Sequence, residues 1–182
     1  MSLGGSSLSL LILVCTSCIL TLLSFALWPV FLTTLGDEWG ISNSDIGWIS
    51  GSYFAGYLLA TPILVGLTDR FDARFIFAGG CCFSILGCVL FAMLAGDFWT
   101  ALLSWTLVGS GLAGTYMPGL QIINSRLDSA NRIKAVPWYT SCMGIGTGFS
   151  FALMGFLLAH FDHHFAGYFV ASAAAVALMI IL

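Results

Sequence analysis

Long apolar stretches, interrupted only by short polar clusters, decide what this chain can fold into. Charged residues make up 7% of the 182 residues and hydrophobic ones 59%; the mean hydropathy is +1.03. A soluble domain carries about 25% charged residues. No water-soluble fold hides this much apolar surface, because apolar side chains would have to cover its outside as well. The bilayer is therefore the solvent and the first partner. A β-barrel would need short strands alternating apolar and polar. These runs are continuous, so helices are expected.

A spanning helix needs roughly 20 mostly apolar residues. The runs predict an all-α membrane protein with six transmembrane helices, at about 8–32, 45–67, 73–94, 99–122, 135–158 and 165–182. Together they make one transmembrane domain over 1–182, with no room for a soluble domain. The first break is expected at Gly36–Gly40. The cluster Ser42-Asn43-Ser44-Asp45 supplies oxygen side chains for the free N–H groups of the next first turn. Pro137 is expected in the first turn of the fifth helix, where its missing N–H costs nothing. A signal peptide would have a basic start and a short apolar core. Met1 to Ser9 holds no Lys or Arg, so the first helix reads as a retained span.

Charge placement sets orientation. The five basic residues, Arg70, Arg74, Arg126, Arg132 and Lys134, all fall in the second and fourth connections. The other three connections carry Asp37, Glu38, Asp45, Asp97 and Asp162. The positive-inside rule puts the basic loops, and hence the N-terminus, in the cytoplasm. Short loops suggest a bacterial inner membrane. Nothing basic is arranged for nucleic acid.

A weak internal repeat is visible. The second helix carries Gly47, Gly51 and Ala55, and the fifth Gly144, Gly148 and Ala152, both at four-residue spacing. Small residues so spaced let a neighbouring backbone approach. Trp28-Pro29 and Met117-Pro118 sit near the ends of the first and fourth helices. Two inverted three-helix units are one reading; the general frequency of Gly and Pro in membrane helices is the other.

The loop after the second helix reads Val65-Gly66-Leu67-Thr68-Asp69-Arg70-Phe71-Asp72-Ala73-Arg74. It resembles the major facilitator superfamily signature, Gly-x-Leu-x-Asp-Arg-x-Gly-Arg-Arg/Lys. Leu67, Asp69, Arg70 and Arg74 match; Val65, Asp72 and Ala73 depart from it. The stretch from Gly109 to Gly114 resembles a second family motif, with Trp105 where that motif has Arg. The resemblance covers the chain as the first six of twelve helices and implies alternating access by a secondary transporter. It implies that the loop of Leu67, Asp69, Arg70, Asp72 and Arg74 braces and gates the two halves. Read without it, the loop is a charged turn that sets topology.

The resemblance also implies a cavity lined by the first and fourth helices. Ser17, Thr21, Ser24 and Trp28 share one face of the first. Trp105 and Tyr116 share a face of the fourth, with Gln121 beyond them as a further polar candidate. Ordinary hydrogen bonding between helices accounts for the same hydroxyls. Tyr53, Tyr57, Trp138 and Tyr139 fit either a cavity or an interfacial belt. No Asp, Glu, Arg or Lys lies deep in a span, so this half offers no proton relay or fixed cation. The cysteines read as packing residues, and His160, His163 and His164 as a solvated outer loop. No catalytic constellation, cofactor cradle or metal pattern is present, and an enzyme is not expected.

Two functions are consistent with these residues. One is a carrier of a small solute; the other is a membrane scaffold or truncated remnant without a cavity. The sixth helix ends without a polar cap, which suggests truncation before a second half. The expected partner is that missing C-terminal half, or a second copy of the chain.

Overall fold

The computed structural model describes residues 5–182. Seven helices run through the described residues: α1 (Gly5–Leu22), α2 (Leu27–Trp39), α3 (Asn43–Leu67), α4 (Ala73–Leu94), α5 (Phe98–Arg126), α6 (Ser129–His160) and α7 (His163–Ile181). There are seven because the first expected helix is broken in its middle. Beyond the break it runs on through Gly36, Asp37 and Glu38 to Trp39. Gly40 then ends it in the left-handed conformation (φ 63°), with its N–H returning to the Gly36 carbonyl.

Polar chemistry sets the other helix starts. The Ser42 side chain accepts from the Asp45 N–H while Asp45 accepts from the Ser42 N–H, closing a capping box on α3. Asp72, Asp97 and Asp162 accept first-turn N–H groups of α4, α5 and α7. The polar stretch expected as a loop from Asn124 to Lys134 is mostly helical. It breaks only around Leu127 and Asp128, because polar residues beyond the bilayer are free to continue the helices that cross it. Pro137 consequently lies inside α6, not in its first turn.

Five helical segments are long and apolar enough to cross a membrane: Gly5–Trp39 taken through its break, α3, α4, α6 and α7. The 29-residue α5 is about 43 Å long at 1.5 Å per residue, but it does not reach that apolarity. Its Gly, Ser and Thr residues face other helices in place of lipid, and Ser104, Trp105, Val108, Gly109, Leu112 and Thr115 are all buried. Position in the bundle relieves α5 of the need for an apolar surface.

α5 packs along α3 and α4; α1 packs along α6 and α7; α4 also meets α7, and α1 meets α5. The α4–α5 seam is backbone on backbone. A Cβ built on Gly114 would stand 2.6 Å from the Gly80 Cα. Gly109 lies as close to the Tyr53 backbone of α3. Gly47, Gly51, Gly144 and Gly148 were expected to be such contacts. All four, with Ala55 and Ala152, are exposed, and no neighbouring atom of the described residues lies within 4 Å of a Cβ at the glycines. Among the described residues the glycines of the two stripes pack against nothing.

The connections alternate between the two ends of the bundle. At one end Arg126, closing α5, pairs with Asp72 before α4, and Asn131 of α6 reaches Ser7 of α1 at 3.3 Å. At the other, His163 of α7 lies against Trp39 of α2, and His164 contacts the Ala92 carbonyl of α4.

Candidate functional site

The break between α1 and α2 follows from local sequence. Pro29 has no N–H to give the Phe25 carbonyl, and its ring crowds that carbonyl. Thr21 and Ser24 turn their hydroxyls back onto the Cys18 and Thr21 carbonyls at 2.9 and 2.8 Å. Such back-bonding bends helices. The chain tightens over Leu23–Ala26, where Phe25 and Leu27 donate to carbonyls three residues back.

A third group holds the break open. Ser150 of α6 is fully buried. Its hydroxyl donates to the Leu23 carbonyl at 2.7 Å and accepts from the Ala26 N–H at 3.0 Å. It satisfies two backbone groups whose helical partners are taken, since Phe25 holds the Leu22 carbonyl and the Leu27 N–H goes to Ser24. Insertion of a side chain into the ladder is a recognised cause of a sharp kink. α6 also reaches the backbone of α5, without breaking it. The Tyr139 hydroxyl donates to the Tyr116 carbonyl at 2.7 Å, beside Pro118, and the rings of Tyr116 and Tyr139 stack at 5.6 Å.

The break opens on a small recess of about 80 Å³, lined by Phe25, Trp28, Ser50, Tyr53, Phe54 and Trp105. Three different parts of the chain build it: the first span, α3 and α5. Trp28 donates its indole N–H to the Ser50 hydroxyl at 2.9 Å. Tyr53 meets Phe25 edge-on and lies against Trp105, each at 5.4 Å between centroids. The walls carry no charge, and the space fits one small ring.

The expected cavity residues divide among different places. Trp28 and Trp105 meet in the recess. Thr21 and Ser24 are buried and spend their hydroxyls on their own helix. The Ser17 hydroxyl is buried without a partner among the described residues. Tyr116 stacks on Tyr139. Gln121 lies at the basic end, in a crevice with Thr68, Asp72 and Arg126.

In the loop after α3, Asp72 gathers the charges. It accepts the Arg74 N–H at 2.9 Å, receives Arg126 Nη2 at 2.7 Å and has Arg74 Nε at 3.6 Å. The Arg74 amide, with the Arg126 and Arg74 guanidinium groups behind it, holds the Asp72 carboxyl below the usual carboxylate range. Leu67 ends α3, and Asp69 and Arg70 are exposed in the turn.

Some roles were not visible in sequence. Ser150 and Arg126 act on residues far away in the chain, and no local spacing signals such a partner; Tyr139, read as a cavity or belt residue, is buried against α5. His163 was expected in solvent; it is 8% exposed and packed among rings.

Comparison with known proteins gives the same direction. The chain is 25% identical over 135 residues to the Acinetobacter baylyi niacin transporter NiaP, covering 74% of this chain and 30% of that protein. It is 24% identical over 147 residues to an Arabidopsis thaliana probable sphingolipid transporter, spinster homolog 1, covering 79% and 29%. It is 26% identical over 121 residues to human protein spinster homolog 1, covering 65% and 23%. The chain thus spans under a third of the length of these relatives. The profile of the Major Facilitator Superfamily matches residues 13–182, and with its apolar helices the chain is an integral membrane protein that belongs to that superfamily.

Proposed function

We propose that this chain is one six-helix half of a carrier that moves a small solute by alternating access, with the aromatic recess at the broken first span as its part of the solute path. The observation that carries this reading is the break itself. Its backbone is irregular at mid-bundle, it is held open by Ser150, and it faces a recess built from three parts of the chain. Irregular backbone at membrane depth occurs where it is buried in protein or lines a cavity.

On this reading α5 also crosses the membrane, as the fourth of six spans. The helix contacts support two inverted units. Exchange the first span, α3 and α4 with α5, α6 and α7, and the principal packing pairs map onto one another. The basic end faces the cytoplasm, as does the start of α1, and the membrane is a bacterial inner membrane. The exposed stripes of Gly47, Gly51 and Ala55 on α3 and of Gly144, Gly148 and Ala152 on α6 suit a second six-helix body. The Asp72–Arg126–Arg74 cluster braces the cytoplasmic edge of the interface between the two bodies.

The test is uptake into liposomes by the complete protein that carries this chain. Niacin is the first probe, because the name of one relative offers it and a single planar ring suits an 80 Å³ recess. Saturable uptake that falls on Trp28→Ala and Trp105→Ala is expected. Uptake indifferent to both variants overturns the recess. Uptake by monomers of residues 1–182 alone overturns the half-carrier reading and leaves a complete small carrier. Folded protein that moves none of a panel of small solutes favours the scaffold.

A further inference from the structure

The spans contain no Asp, Glu, Lys or Arg deep inside them, yet one titratable side chain is buried at the acidic end of the bundle. His163 opens α7, is 8% exposed, and its Nε2 has no hydrogen-bond partner among the described residues. Its ring stands nearly perpendicular to Trp39 of α2 and Phe91 of α4, at 6.1 and 6.3 Å between centroids. Trp39 in turn stacks on Trp28 at 6.2 Å, and Phe91 meets Trp28 and Trp105 at 6.3 and 6.1 Å. A continuous set of rings therefore joins His163 to the two tryptophans of the recess.

The charged surroundings of this ring are few. Glu38, in the last turn of α2, and Asp162, in the turn before α7, are the carboxylates whose fields reach it. Asp162 already accepts the Phe165 N–H at 2.8 Å. Glu38 is exposed and makes no ion pair among the described residues. His164 lies beside the ring at 4.0 Å, with its own Nδ1 against the Ala92 carbonyl of α4. α6 brings only His160, which stacks on Phe156. α1 and α4 bring no charge within their helices near it beyond the Arg74 end.

We propose that His163 is a proton-binding site of this unit, and that its charge state sets how the end of α2 docks against α4 and α7. In the neutral form the imidazole sits in a ring-walled slot with an unused nitrogen. Taking up one proton turns that nitrogen into a charged donor, which a slot of Trp and Phe leaves unpaired. Glu38 is the acceptor within reach of a small movement of α2. The move tilts the Trp39 ring against Trp28, so the proton is read at the recess. The site does not depend on solute transport, and its test is spectroscopic.

The test is tryptophan emission of the complete protein in lipid nanodiscs, titrated from pH 8 to pH 5. A protonated imidazole beside an indole quenches it. Wild type should lose intensity in a single step. His163→Gln should abolish the step, Trp39→Phe should remove most of its amplitude, and His164→Gln should keep the step with its midpoint at higher pH, since a like charge nearby disfavours the charged form. Glu38→Gln should move the midpoint to lower pH, since a carboxylate nearby favours the charged form. A step that survives in His163→Gln, or no step in wild type, overturns the proposal. If His163→Gln does not fold, an unmoved midpoint in Glu38→Gln overturns it equally.

Discussion

Replacing Ser150 by Ala tests the reasoning about the broken span most directly. The variant removes one hydroxyl that makes two cross-helix hydrogen bonds, at 2.7 Å to the Leu23 carbonyl and 3.0 Å from the Ala26 N–H. Both backbone groups are left buried in apolar surroundings. A buried group stranded this way costs about 1–3 kcal/mol. Two effects reduce the sum. The stranded groups lie three residues apart and are able to pair with each other. Side-chain hydrogen bonds between membrane helices also average only about 0.6 kcal/mol, with a maximum near 1.7. The expected loss is therefore about 1–2 kcal/mol, read as a lower unfolding free energy in denaturant-titrated bicelles. Amide exchange at Ala26 should rise about 5- to 30-fold, the factor that 1–2 kcal/mol represents. Ser172→Ala is the control. Its hydroxyl bonds only to the Phe169 carbonyl of its own helix and is exposed. If Ser150→Ala loses no more than Ser172→Ala, and Ala26 exchanges as in wild type, Ser150 does not hold the break.

Further outcomes follow from other contacts. Gly114→Ala sets a methyl 2.6 Å from the Gly80 Cα and should destabilise by about 1–3 kcal/mol, whereas Gly148→Ala, mid-helix with open space around it, should stabilise by up to about 1 kcal/mol; thermal melts compare them. If Gly51 and Gly148 face a second body, Leu at either should reduce uptake by the complete protein without lowering its melting temperature. Tyr139→Phe removes the hydrogen bond to the Tyr116 carbonyl and should cost about 1 kcal/mol by the same unfolding assay. The Asp72–Arg126 pair is about one-third exposed, so a double-mutant cycle should return only about 0.2–1 kcal/mol. Because the Asp72 carboxyl is held below its usual range in the fold, that contribution is fully present above the unfolded value of about 3.9. It is lost as pH falls through the lower folded value, and a cycle repeated at neutral pH and at pH 3 checks the sign.

Helix positions were readable wherever lipid or a cap dictates the residue. α4 begins and ends where its apolar run does, and Ser42 with Asp45 announces α3. Position inside the bundle was not readable, since α5 needs little apolar surface once other helices replace lipid around it. The small-residue spacing on α3 and α6 finds no partner among the described residues. Spacing reports that a close approach is possible, and the partner decides whether one occurs. Trp28 and Trp105, both named from sequence as cavity candidates, line one recess, because large aromatics on neighbouring helices have few other places to go. Ser150 was not legible, because a serine that splices a distant backbone has the same local sequence as one that does nothing. His163 was read as solvated for a related reason: its burial depends on Trp39 and Phe91, which stand far from it in sequence.

The seam between Gly80 and Gly114 limits how this unit can change shape. Most helix pairs slide by exchanging side-chain rotamers, and each exchange gives a slightly different fit. Where main chain rests on main chain there are no rotamers to exchange, so α4 and α5 keep one fit or separate. α3 joins the same block through Tyr53 and Gly109. A bend then has to enter where a side chain occupies a backbone position, at Ser150 in the first span. That residue belongs to α6. α6 thus carries the hinge pin of the first span, beside a block of α3, α4 and α5 that is welded shut.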